Sequence, residues 1–437
     1  MITKFINATI ITINEKNDII RNGEVIVENN LISYVGAPNN LIKGDKIIDL
    51  KGKILMPGFI NTHCHSAMSL MRGIGGNTVF NNWWQDMLLI EERLTYQDIY
   101  NGTLLSAYEM IRAGITSTVD LYINSEATAQ ALKDAKMRAW INIGASCIKM
   151  QSVDNNVLEK DYKEMINISP LIKPIKYAHA VYSCSDEIYS SFINFANKHN
   201  LVFTTHASET LDEVGKIHTQ TGFTPIALLE KYGAFDMKCL LAHCVHLDKD
   251  DINILKQYKD VSISTNASSN LYLGSGIAPI FAYLKNGINV CLGTDGPASN
   301  NSLNMFKEMY LVKNLQSGIM NDASLVSNLD VLKMATINGA KALNTKNLGF
   351  IKKGNFADLI VIDNTKPNMQ PEHDVISNIV NSCGVENVIL TMINGEILYE
   401  NGKYYLDDKL SIVLQKAGCY ISDYKKVLCD IKKKINY

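Results

Sequence analysis

Several things are scarce in this chain of 437 residues, and each scarcity closes a door. Only nine residues are cysteine, an odd number scattered from Cys64 to Cys429 with no Cys-x-x-Cys pair. Neither a disulfide framework nor a thiolate zinc site is supported, and free thiols in a reducing, cytoplasmic compartment are expected. Charge of one sign is not in excess: 42 basic side chains face 44 acidic ones, which leaves no electrostatic footprint for nucleic acid or anionic lipid. No apolar run approaches the roughly 20 residues that a membrane-spanning helix needs. The start, MITKFINATIITI, alternates like a strand instead of reading as a signal peptide. Internal repeats and low-complexity tracts are also missing.

What is there is organised in three textures. Residues 1–56 read as short strands, with Asn29 and Asn30 able to take the positive φ of a tight hairpin. Residues 57–345 alternate apolar strands with helical stretches, the strands ending in FINTHCH, GITSTVDLY, RAWINIGASC, IKYAHAVYSCS, LVFTTHASE, CLLAHCVHL, VSISTNASS and NVCLGTDG. Parallel strands need crossover connections, and eight of them can close on themselves, so an α/β fold with a (β/α)8 TIM barrel is expected. Residues 346–437 return to strands, with Asn394-Gly395 as a hairpin turn, and should form a small composite β-sandwich with the first segment. From Asp408 on, Leu410, Val413, Leu414, Ala417, Ile421, Tyr424, Leu428 and Ile431 fall at helical spacing, as in a surface helix.

His63 and His65 stand two apart at the end of the first barrel strand, and a strand's period of two sends both imidazoles to one side. Such a pair is half a zinc site. His179, His206 and His243 also fall at or near strand ends, on the face where barrel active sites lie. Adding His206 and Asp295 gives three imidazoles and one carboxylate, a set for one divalent ion that still leaves room for water. Asp295-Gly296 is also a common turn pair. Glu209, three residues after His206, suits a proton shuttle whose pKa is raised by burial, or else opens the next helix. His243 could be a fifth ligand or an electrophile near the site. Lys176, the one lysine close enough to the fourth strand end to bridge two metals once carbamylated, stops short of that end, which favours one metal.

PGFINTHCHSAMSLMRG, HAVYSCS, HASE, AHCVHL, LGTDGPASNN, MATINGAKAL and KKGNFADLIVID run in this order along nearly the whole chain. In this the sequence resembles the amidohydrolase superfamily, and more closely its 5-methylthioadenosine/S-adenosylhomocysteine deaminase branch. The resemblance implies a metal-dependent barrel with a sandwich from both termini, and His63, His65, His206 and Asp295 as ligands to zinc or, in some relatives, iron. It implies catalytic roles for Glu209, His243 and Asp295, ribose hydroxyls received by Glu91, and substrate contact at His179. Glu209 and Asp295 would face the substrate as well, and Trp83 or Trp84, in the loop region after the first barrel strand, could cover a flat base or a thioether, with core or lid packing the alternative for at least one of them. The chain departs from the branch at Val181, at FNNWWQD, and in the loop from Asn266 to Asn270.

The implied reaction is hydrolytic deamination of the adenine ring in 5′-methylthioadenosine, S-adenosylhomocysteine or adenosine, releasing ammonia. A small purine nucleoside is then the partner, without nucleic acid or membrane, in a homo-oligomer. The competing expectation keeps the hydrolase but changes the substrate to a guanine derivative, cytosine or a triazine, with the altered Asn266 to Asn270 loop as its support. A scaffold that keeps only the barrel would be expected to lack ligands, and all four are present.

Overall fold

In the computed structural model the chain is described for residues 1–39, 41–76, 78–144, 148, 150, 152–406, 409–417 and 429. It opens with five strands, β1 (Ile2–Ile11), β2 (Ile19–Glu28), β3 (Leu31–Gly36), β4 (Lys46–Asp49) and β5 (Ile54–Pro57). Asn29 takes φ +56° at the β2–β3 turn, the left-handed conformation that asparagine tolerates better than most residues.

Eight strands follow, at the positions read from the sequence: β6 (Phe59–Cys64), β7 (Ile115–Asp120), β8 (Arg138–Asn142), β9 (Ile172–Ala180), β10 (Phe203–Ala207), β11 (Cys239–His243), β12 (Val261–Thr265) and β13 (Asn289–Leu292). They pair in sequence order, every pair parallel. The ring is closed between its first and last members by polar groups. Asn61 Nδ2 donates to Thr294 Oγ1 at 2.8 Å while the Thr294 N–H donates to Asn61 Oδ1 at 2.9 Å, and Thr62 Oγ1 donates to the Leu292 carbonyl at 2.8 Å. Ile60, Val119, Ile175, Tyr177, Leu240 and Cys291 fill the interior. Residues of opposite parity, such as Phe203, Leu241 and Val290, pack outward against the helices. That division is the strand period of two expressed in a closed sheet.

The chain then returns to β14 (Leu359–Ile362), β15 (Val388–Ile393), β16 (Glu396–Glu400) and β17 (Lys403–Tyr404). Asn394 and Gly395 take φ of +50° and +80°, the two left-handed positions of a tight hairpin. These strands join the N-terminal ones in a nine-stranded mixed sheet, ordered β17-β16-β15-β14-β5-β1-β2-β3 with β4 beside β1. The seam is the antiparallel pair β5–β14, running from Ile54 opposite Ile362 to Pro57 opposite Leu359. Phe5, Val25, Leu55, Leu359, Val361 and Met392 make a core of this sheet's own. A buried bidentate pair ties it to the barrel: Arg138 Nε and Nη2 donate to Asp358 Oδ2 and Oδ1 at 2.8 and 3.0 Å. Asp358 Oδ1 also accepts the Asn394 N–H at 2.8 Å. Removing one partner of such a buried pair costs about 3–5 kcal/mol, because the other charge stays buried and unpaired.

Two expectations are corrected. Cys184 is disulfide-bonded, whereas free thiols were expected throughout; Cys64, Cys239, Cys244, Cys291 and Cys383 are free and buried. Trp83 and Trp84 sit not in a loop but on a helix, Phe80–Glu91. The C-terminal apolar stripe is helical over 409–417, and its continuation from 418 lies outside the described residues apart from 429. Among the described residues no helix is long and apolar enough to cross a membrane.

Candidate active site

The first two candidate ligands come from β6 and the residue after it. Cys64 packs into the helix layer although Ile60 faces the interior, because β6 shifts register between Asn61 and Cys64, and His63 and His65 on either side of Cys64 turn toward the centre. Their rings meet edge to face with centroids 4.9 Å apart. β10 brings His206, whose Nε2 lies 3.1 Å from His63 Nε2. Beyond β13, Asp295 turns its Oδ1 to within 3.4 Å of His63 Nε2 and 3.3 Å of His65 Nε2. Donor atoms of His63, His65 and His206 lie within 4.8 Å of one another, as do those of His63, His243 and Asp295.

Hydrogen bonds on the far side of each ring decide which nitrogen faces the centre. His65 Nδ1–H donates to the Leu121 carbonyl at 2.5 Å, and His206 Nδ1 shares a hydrogen bond with the Tyr177 hydroxyl at 3.3 Å. His243 Nδ1–H donates to Asn270 Oδ1 at 2.8 Å. The Nε2 lone pair of His65 therefore faces the centre, where it meets the Nε2 atoms of His63 and His206 and a carboxylate oxygen. Four electron-rich atoms at such distances repel unless a cation lies among them, so the residues fit one divalent metal ion. Burial lowers the pKa of His63 to about 4 and that of His206 well below its ordinary value, keeping the imidazoles in the neutral form that ligation needs. Burial opposes ionisation of Asp295, but the surrounding histidines outweigh it and hold the carboxyl well below the usual range.

Two serines that the sequence did not single out aim this carboxylate. Ser269 and Ser299 Oγ both donate to Asp295 Oδ2, at 2.6 and 2.8 Å, which leaves Oδ1 for the centre. Gly293 explains the close approach of β13 to β6: a Cβ there would lie 2.7 Å from His63 Cβ and 2.4 Å from Asn266 Oδ1. Asn270, in the run that departs from the family pattern, orients His243.

His243 breaks the strand period. Leu240 points into the barrel and Leu241 outward, so alternation would place Ala242 inside and His243 outside. A φ of +70° at His243 turns it back, and its Nε2 comes within 3.8 Å of Glu209 Oε2. Burial raises the Glu209 pKa while the charge of His243 opposes the shift. Ser275 Oγ donates to Glu209 Oε1 at 3.2 Å.

The cavity over this cluster is lined by Trp84, Met87, Leu88, Tyr122, Ile123 and Ile148 among others, with Glu91 also on its wall. Burial pushes Glu91 up to about 7, partly offset by the Tyr122 hydroxyl and by His65. His179 Nδ1–H donates to Ser183 Oγ at 2.8 Å, and that hydroxyl donates on to the Ala180 carbonyl at 3.0 Å. Trp84 lies tilted against His179 with centroids 6.1 Å apart. Trp83, in contrast, is buried, and its Nε1–H donates to the Ala298 carbonyl at 3.3 Å, fastening its helix to the chain beyond Asp295. The Lys176 side chain points out of the barrel. Ile175 and Tyr177 beside it point inward, and its Nζ donates to the Ile143 carbonyl at 2.6 Å while lying 3.6 Å from the centroid of the Phe192 ring.

Comparison with known proteins gives a consistent set of likenesses. The Amidohydrolase family matches residues 54–398. The 5-methylthioadenosine/S-adenosylhomocysteine deaminase of Acetivibrio thermocellus is 39% identical over 404 residues, spanning 90% of this chain and 93% of that protein. A 5′-deoxyadenosine deaminase of Methanocaldococcus jannaschii is 37% identical over 406 residues, spanning 91% and 96%. Among solved structures, an adenosine deaminase from Xanthomonas campestris with bound zinc matches with a TM-score of 0.91 at 25% identity, over 97% of this chain and 98% of that one.

Proposed function

The chain belongs to the amidohydrolase family, and on that basis we propose that it is a metal-dependent hydrolytic deaminase of adenine nucleosides. It converts 5′-methylthioadenosine, S-adenosylhomocysteine or adenosine, with water, to the hypoxanthine analogue and ammonia. The observation that carries this reading is the arrangement of carboxylates in one cavity. Glu209 and Asp295 stand at the donor cluster, and Glu91 stands on the same cavity's wall with Trp84, Met87 and Leu88.

His63, His65, His206 and Asp295 would hold the metal, for which zinc is our assignment on the imidazole and carboxylate donor set. When bound, a divalent cation lowers the pKa of water from about 15.7 toward 7 and so supplies hydroxide at neutral pH. Glu209 carries a proton to the ring nitrogen beside the attacked carbon, where loss of aromaticity places negative charge. His243, held by Asn270, stabilises the oxygen on the tetrahedral carbon. Asp295 takes the second proton of water and returns it to the departing amine. Glu91 accepts the ribose hydroxyls, His179 contacts the substrate, and the apolar wall receives the 5′ substituent. A cytoplasmic location and a homo-oligomeric state belong to the same proposal, and light scattering after size exclusion reads the latter directly.

The support for another heterocycle weakens at the Asn266 to Asn270 run. Its residues act on His243 and Asp295, and they are not among those lining the cavity. The test is ammonia release, with the ultraviolet change from adenine to hypoxanthine, on metal-loaded enzyme. Turnover of the three nucleosides with little on free adenine is expected. Silence on all of them from enzyme that demonstrably holds its metal would overturn the adenine reading.

A further inference from the structure

Glu213 is the third residue of the helix Leu211–Thr221, whose N-cap is Thr210. Thr-x-x-Glu at a helix start ordinarily forms a reciprocal pair, in which the N-cap side chain takes the backbone N–H of the glutamate and the glutamate returns to the N–H of the N-cap. Here half of that pair is present: the Glu213 N–H donates to Thr210 Oγ1 at 3.1 Å. The carboxylate goes elsewhere. It reaches past the N-cap and accepts the N–H of Ser208 on Oε1 at 3.0 Å and the N–H of Glu209 on Oε2 at 2.7 Å. Glu213 is 4% exposed, so neither bond is shared with bulk water.

These two N–H groups belong to the turn that separates His206 from the Glu209 side chain. Ser208 takes φ +50° in it, a conformation a non-glycine residue holds only when its surroundings fix it. The carbonyl of Ser208 is fixed as well, accepting the N–H groups of Val245 and His246 at 3.0 Å each. The segment beyond His243 thus grips one side of the Ser208 residue and Glu213 grips the other. We infer that Glu213 is a positioning residue, whose carboxylate clamps the Ser208 and Glu209 amides and so sets the Glu209 carboxylate against His243 and the substrate. It does not touch the reacting atoms. The inference rests on the role proposed for Glu209.

Glu213→Gln tests it with little change of size. A glutamine presents one acceptor and one NH2 donor, so one backbone N–H then faces another donor instead of an acceptor. The expected result is a kcat at least tenfold lower, KM within twofold, metal content unchanged, and faster hydrogen exchange at the Ser208 and Glu209 amides. Thr210→Ala is the control. It removes the intact half of the helix start, and should lower Tm with kcat within twofold. Glu213→Asp, which keeps the charge but shortens the reach, covers the case in which the glutamine variant does not fold, with the same direction expected in kcat and exchange. Wild-type kcat and exchange in Glu213→Gln, or kcat losses that follow Tm alike in the Glu213 and Thr210 variants, would overturn the clamp. A wild-type enzyme silent on the nucleosides would overturn the deaminase reading instead, and amide exchange would still decide for or against the clamp.

Discussion

The backbone N–H of Asp295 donates to the carbonyl of His63 at 2.9 Å, although the two residues belong to opposite ends of the barrel's strand order. The same pair meets again through side chains, His63 Nε2 to Asp295 Oδ1 at 3.4 Å. Closure of the barrel and assembly of the donor set are therefore one event, and a change that loosens the junction between β6 and β13 loosens the site.

Glu209 is the proposed proton carrier, so Glu209→Gln should retain the metal and lose about 10²–10⁴-fold in kcat. Elemental analysis beside steady-state kinetics checks both parts. Near-normal turnover would remove Glu209 from the mechanism, and two ions per chain at full activity would overturn the single-metal assignment.

Glu91 gives a pH dependence. Its pKa is raised to about 7, so below pH 7 the carboxyl is protonated and offers fewer acceptor sites to ribose hydroxyls. KM for a nucleoside should fall as pH rises through about 7. Glu91→Gln should raise KM about 10–100-fold, as expected for a lost hydrogen bond to a charged group, and flatten that dependence. KM profiles from pH 6 to 8.5 for both proteins decide it.

Ser269 and Ser299 aim Asp295 without touching the metal position. Replacing both with alanine should weaken metal affinity about 10–100-fold. Titration against a chelator of known affinity measures this, and wild-type retention would show that Asp295 holds its orientation unaided.

Lys176 is buried, and burial lowers its pKa to about 7 from an ordinary 10.5. Between these values the unfolded chain binds a proton that the folded chain does not, so stability rises with pH across that window. Denaturant unfolding of wild type at pH 7.5 and 9.5 should show the rise, and Lys176→Met should remove this contribution. An identical pH slope in both proteins would contradict it.

The eight strands were legible because each is a short apolar run bounded by polar punctuation, and His63 and His65 because two histidines across one cysteine obey a local period. What could not be read depends on neighbours far along the chain. Ser269 and Ser299 matter only because the barrel brings Asp295 between them. His243 faces inward against its strand's parity, through a backbone angle that no sequence period encodes. Glu213 sits in a pattern that reads as a helix cap, and its carboxylate is diverted by a turn whose shape the pattern does not contain. Trp83 and Trp84 are adjacent, chemically alike and both on the cavity wall, yet Trp83 also fastens its helix to the Ala298 carbonyl, a contact with a residue far along the chain.

The pairing of β5 with β14 has a consequence for synthesis. Pro57 and Leu359 are partners, so the edge of β5 emerges from the ribosome about 300 residues before the strand that covers it. At roughly 5–20 residues per second, that edge waits on the order of 15–60 s. During that time it is an open template for another nascent chain, so slower translation lengthens the exposure and a chaperone that covers the edge shortens it.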